Sequence, residues 1–160
     1  MATPTQIKRR GRWSLILGAI FAALMLAAVA YADEIKNELP SSAKVIALNT
    51  NGATGSTVLF VDPTGDDGKN GCNLSGPGNP TLVVSVSSSN NAVATVSPTS
   101  LSFTSCGDTK TVTVTPHAEG TANVTLSQTS NTSQGSFNLT HASFRVDVAP
   151  PPNTAPDVSV

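Results

Sequence analysis

From Ala43 onward, apolar side chains recur at every second position over short stretches. Only an extended strand turns that spacing into one buried face and one wet face. Leu82, Val84 and Val86 alternate with Thr81, Ser85 and Ser87, and Val112 and Val114 alternate with Thr111, Thr113 and Thr115. Ala122, Val124 and Leu126 repeat the pattern, as do Phe144, Val146 and Val148. Shorter stretches at Val45–Leu48, Val58–Val61, Ala92–Val96, Leu101–Phe103 and Phe137–Leu139 fill the gaps. Asn51-Gly52, Gly65 to Gly68, Gly76 to Pro80, Ser97-Pro98, Gly107-Asp108 and Glu119-Gly120 supply turn chemistry between them. No segment beyond position 32 carries apolar residues three and four apart over helical length. Nine short strands at this spacing predict an all-β fold of two antiparallel layers, spanning 43–148.

The core of such a sandwich must be thin. The 160-residue chain is 39% hydrophobic but only 4% aromatic, and beyond position 32 its aromatics are Phe60, Phe103, Phe137 and Phe144. These four rings are expected to meet the Val/Leu ladder between the sheets. A domain of roughly 110 residues has an unfavourable ratio of surface to volume, so a covalent tie would matter. Cys72 and Cys106 are the only cysteines, and an even pair in an exported chain reads as a disulfide. Closing a loop of that length stabilises the fold by about 3.5–4 kcal/mol in the chain-entropy picture. Neither cysteine has a Cys or His neighbour at metal-ligand spacing, and the pair is not Cys-x-x-Cys.

Export is indicated by the first 32 residues. Lys8, Arg9, Arg10 and Arg12 precede an uncharged run from Trp13 to Ala32, which ends in the small residues Ala30 and Ala32. A basic cluster stays on the cytoplasmic side while the apolar run enters the bilayer as a helix, so 1–32 reads as a signal peptide cut before Asp33. The alternative is an uncleaved anchor, since Ser14 to Ala32 supplies nearly the ~20 apolar residues that a bilayer requires. Residues 33–42 then read as a polar lead-in. Beyond position 32 there are five basic against ten acidic residues, which excludes a basic stripe for nucleic acid.

The stretch Val96-Ser-Pro-Thr-Ser-Leu-Ser-Phe-Thr104, followed by Thr109-Lys-Thr-Val-Thr-Val-Thr-Pro116, resembles bacterial immunoglobulin-like modules of surface and secreted proteins. In such modules a Pro-x-x-Leu-x-Phe strand precedes a Thr-Val-Thr-Val strand. The resemblance spans Ser41 to Val148 and implies an immunoglobulin-like antiparallel β-sandwich, here preceded by the signal-peptide helix. It also implies extracellular spacer, adhesion or accessory-binding roles for modules strung in series. The buried tryptophan of antibody-type domains has no counterpart, which leaves the looser bacterial relatives. Residues 149–160 agree independently. Ala149-Pro-Pro-Pro-Asn-Thr-Ala-Pro156 is a stiff extended linker, and Asp157-Val-Ser-Val160 reads as the opening of a further module.

Candidates for chemistry are few. His117 and His141 lie beside predicted strand ends, and no Gly-x-Ser-x-Gly elbow accompanies them; they read as turn or edge histidines. Asp62, Asp66 and Asp67 sit in a Gly-rich loop and offer hard oxygen ligands to calcium, without the alternating Asp pattern or the distal Glu of a calcium loop. Exposed Trp or Tyr for stacking on sugars is absent beyond position 32. No phosphate loop or other cofactor motif occurs, so no cofactor is expected. Asn73, Asn123, Asn131 and Asn138 each head an Asn-x-Ser/Thr sequon.

The expected function is that of a non-enzymatic, exported structural or adhesive spacer module, secreted or at the cell surface. The alternative is an accessory domain of a secreted hydrolase whose catalytic part lies outside this chain. Expected partners are adjacent modules of the same or a longer chain and an extracellular protein or surface, with no nucleic acid. Membrane contact would run only through the leader, if that is retained. Trp13 and Tyr31 are the sole Trp and Tyr. Exported material cut before Asp33 should therefore barely absorb at 280 nm, and a strong tryptophan signal in it would show that the leader stays attached.

Overall fold

A computed structural model describes residues 32–62, 72–133 and 135–151. The expected signal-peptide helix and most of the terminal linker lie outside the described residues. The described chain forms ten strands: β1 (Ala32–Asn37), β2 (Val45–Asn49), β3 (Gly55–Val61), β4 (Leu82–Ser88), β5 (Ala94–Ser97), β6 (Ser100–Phe103), β7 (Thr109–Pro116), β8 (Gly120–Asn131), β9 (Ser136–Asn138) and β10 (Phe144–Ala149). A 3-10 turn at Thr140–Ala142 separates the last two. One sheet has the order β5-β7-β3-β1-β9 and the other β2-β10-β8-β4-β6. The fold is an immunoglobulin-like β-sandwich.

Alternation of side chains builds both layers. Leu82, Val84 and Val86 of β4, Ala122, Val124 and Leu126 of β8, and Phe144, Val146 and Val148 of β10 all point inward and are buried. Across from them lie Leu59 and Val61 of β3 and Val112 and Val114 of β7. On β4, β7 and β8 most of the alternate positions carry Ser and Thr, whose hydroxyls stay in water at no desolvation cost, whereas β10 carries Arg145 and Asp147 there. Ser85 stands opposite Ser127 and Ser87 opposite Thr125, so the outer face across β4 and β8 is lined with small hydroxyls. Gly120 opens β8 at φ +142, and a Cβ there would press on Val93, so this turn takes glycine.

Three features differ from the sequence expectations. The segment 33–42, expected as a polar lead-in, holds β1, which sits between β3 and β9 with Ile35 fully buried. Its sequence, Ala-Asp-Glu-Ile-Lys-Asn, has one large apolar residue and so carries no readable alternation. Pairing is mainly antiparallel, but β1 runs parallel to β9 and β2 parallel to β10. The aromatic rings also divide. Phe103 and Phe144 are buried in the core, and Phe137 packs half-buried at its rim. Phe60 instead faces outward beside Lys36 and Thr109, because β3 buries Thr57, Leu59 and Val61. Val58-Leu-Phe-Val61 is apolar in both phases, so periodicity cannot choose a face.

This division has a measurable consequence. Phe103→Ala should cost about 3–5 kcal/mol, because the core cannot close over the lost ring. Phe60→Ala should cost about 1 kcal/mol or less. Urea unfolding midpoints at unchanged slope would compare the two; equal costs would contradict the assigned phase of β3.

Candidate functional site

The residues with most chemical potential gather on β1 and its neighbours. Glu34 and Lys36 point to the outer face of the first sheet, and Asp62 follows the end of β3 beside them. The Lys36 ammonium lies 2.8 Å from Glu34 Oε2 and 2.5 Å from Asp62 Oδ2. On the far side of Glu34, Oε1 lies 2.7 Å from His141 Nδ1 in the 3-10 turn. Glu34 is buried although its strand phase points outward. Hydrogen bonds from Lys36 to Asp62 and then to Glu34 hold the Lys36 ammonium protonated well above the ordinary lysine range.

The inward phase of β1 is polar as well. Asp33 is fully buried and its Oδ2 accepts the backbone N–H of Asn73 at 2.5 Å. Asn37 directs its Nδ2 at three carbonyls, those of His141 (3.1 Å), Ala142 (3.1 Å) and Ser143 (3.2 Å). Its Oδ1 accepts the N–H of Leu39 at 3.1 Å. Sequence reasoning missed Asp33, Glu34 and Asn37 because a run of polar residues reads as linker. The available signal was the spacing of Asp33, Ile35 and Asn37, which share one strand face.

This arrangement binds segments of the chain to one another. The His141–Glu34 pair resembles the orienting half of a proton relay, but among the described residues no hydroxyl or thiol side chain is hydrogen-bonded to His141. A lysine held as ammonium is no nucleophile. His117 sits at the opposite flank of the same sheet, its Nε2 2.9 Å from Thr95 Oγ1. The two histidines therefore belong to separate edges.

Of the calcium candidates, Asp62 is engaged by Lys36, whose ammonium fills the place of a cation between two carboxylates. Asp66 and Asp67 lie outside the described residues. Among the described residues no three His, Cys, Asp or Glu side chains converge to hold a metal.

Cys72 and Cys106 are joined by a disulfide with their Cα atoms 5.5 Å apart. It links the segment entering β4 to the turn between β6 and β7, and so joins two of the connections that cross between the sheets. The four sequons differ in access. Asn73 lies against Gly135, where a Cβ would collide with its amide. Asn131 donates to the Gly135 carbonyl and accepts from Ser133 within a turn. Asn138 is half-buried and accepts the N–H of Thr140. Asn123 stands exposed on the outer face of β8.

No family model matches the chain, and no curated protein matches its sequence. Solved structures resemble it in fold. Domains 4 and 5 of the S-layer protein SbsC align over 72% of this chain and 50% of that one, at 19% identity and a TM-score of 0.42. Domains 1–6 of the same protein align over 76% of this chain and 13% of that one, at 18% identity and a TM-score of 0.44. The E. coli chaperone DraB aligns over 78% of this chain and 59% of its own, at 8% identity and a TM-score of 0.49. The chain thus spans no more than 59% of any of these three proteins.

Two ion pairs should give the fold opposite pH limits. Burial pushes the Asp108 carboxyl up, but hydrogen bonds from Lys110 and from the Thr104 backbone N–H outweigh it and leave the group below its ordinary value of 3.8. A depressed carboxyl stabilises the fold above that value, and the contribution disappears as pH falls through the native pKa. Raised Lys36 contributes fully below the ordinary 10.5, and the contribution fades as pH climbs beyond it. Urea midpoints should therefore fall below about pH 4 and above about pH 10. Asp108→Asn should flatten the acid limb and Lys36→Gln the alkaline limb.

Proposed function

We propose that this chain is an exported, non-enzymatic spacer module of the immunoglobulin-like type. It holds a neighbouring part of the same or a longer chain away from the surface to which it is attached. The observation that carries this reading is the use made of its ionisable side chains. Glu34, Lys36, Asp62 and His141 are engaged with one another, and Asp108 with Lys110. Chemistry that a catalyst would aim at substrate is spent on holding strands in place.

Two further features support the reading. The Cys72–Cys106 bridge suits an oxidising compartment. Among the described residues, the outer face of the second sheet presents mainly serine and threonine hydroxyls on β4 and β8, has no aromatic anchor of the kind around which recognition surfaces concentrate their energy, and pairs its one arginine, Arg145, with Asp147 at 2.8 Å. The three prolines after Ala149 would carry a stiff connection to the next module.

A replacement experiment tests this. Exchanging residues 33–149 for an unrelated disulfide-tied sandwich of equal length should preserve antibody access to an epitope placed downstream on intact cells. Deleting the same residues should reduce that access. If only the original sequence supports a surface or binding phenotype, the spacer reading is overturned in favour of specific recognition.

A further inference from the structure

The first and last segments of the sandwich change sheets in the same way. Residues 32–49 begin as β1 in one sheet and continue as β2 in the other, while residues 136–149 begin as β9 and continue as β10. β1 lies parallel to β9, with Ala32 opposite Ser136 and Glu34 opposite Asn138. β2 lies parallel to β10, from Val45 opposite Arg145 to Asn49 opposite Ala149. The two ends of the domain therefore run side by side, in one direction, through both layers.

Contacts beyond the ladders stitch the same two segments. Glu34 holds His141, and Asn37 holds the carbonyls of residues 141–143. Lys44 Nζ donates to the His141 carbonyl at 2.8 Å. The Arg145 N–H donates to the Lys44 carbonyl at 2.8 Å, and the Thr50 N–H to the Ala149 carbonyl at 2.9 Å.

Direction decides what this does under tension. β3 opposes β1, and the short turn at 50–54 returns the chain beside β2, so β1 and β2 point the same way. β8 opposes β10, and the turn after Asn131 reverses the chain into β9, so β9 and β10 also agree. A pull entering at Ala32 and leaving at Ala149 therefore acts from opposite ends of two parallel neighbours. Their hydrogen bonds are loaded together in shear, whereas a pull on both strands from one end would break them one at a time.

The disulfide then sets a limit. It encloses β4, β5 and β6 in a loop with a sequence separation of 34, and the pull passes across its sulfurs. Those three strands cannot be drawn out while the bridge stands. Deepening the spacer reading, on which its biological use rests, we propose that this module is a tension-resisting tether: a parallel clasp between its two end segments resists extension, and the Cys72–Cys106 bridge caps the extension that follows when the clasp fails. At about 3.6 Å per residue, the stretch from Ala32 to Ala149 can reach about 300 Å with the bridge intact and about 420 Å without it.

Single-molecule pulling on the full chain tests both parts, with attachment through non-thiol handles at Ala32 and Ala149. Reduction should lengthen the unfolding step by about 120 Å, and an unchanged step would overturn the cap. A second version carries its handles at Asn51 and Ala149, at one end of the β2–β10 pair. It should break at lower force, and equal or higher force in that geometry would overturn the clasp. Asn37→Ala should lower the rupture force in the first geometry and leave the step length unchanged. These readings need only the molecule itself, so their failure would leave the spacer reading to the replacement experiment, and failure there would leave the clasp untouched.

Discussion

Everything in this sandwich turns on how its first strand is held. β1 has one aliphatic side chain to bury, so apolar packing alone would hold it weakly. Its inward pegs are instead a carboxylate and an amide, and a buried polar group is costly unless its hydrogen bonds are met. Asp33 takes the N–H of Asn73, one residue beyond the bridged Cys72, and Asn37 takes the carbonyls of the turn that leads into β10. One six-residue strand thereby couples the disulfide region to the end of the domain. Geometry that must be satisfied at both pegs also fixes the register of the strand.

The parts legible in the sequence were those where chemistry and period agree. Val112 and Val114 between threonines, or Ala122, Val124 and Leu126 between small polar residues, leave a strand no alternative face. Legibility failed where that agreement fails. β1 is polar in both phases and is defined by partners distant in sequence, which no local pattern reveals. β3 is apolar in both phases, so the outward placement of Phe60 is decided by β1 and β7 on either side of it. The parallel pairs depend likewise on which segments meet, a property of topology and not of composition.

The candidate site shows the same division. His141 and Asp62 could be noticed as chemically able residues, but their partners Glu34 and Lys36 lay in a stretch that looks like linker. Sequence alone placed Asp62 with Asp66 and Asp67 because they are neighbours in the chain. In the fold it is an ammonium from β1 that meets Asp62. The sequons divide on the same principle: four identical signals in sequence become one open amide, at Asn123, and three that are packed or hydrogen-bonded.

The outermost strands carry one more consequence. β2, β5, β6 and β9 border the two sheets and have five, four, four and three residues; every interior strand is longer, up to twelve in β8. A border strand exposes unpaired backbone donors and acceptors that invite another chain to add itself. Keeping those borders this brief denies a passing neighbour enough ladder to nucleate a shared sheet. Two copies that meet edge to edge would then find too short a ladder to fuse into fibrils.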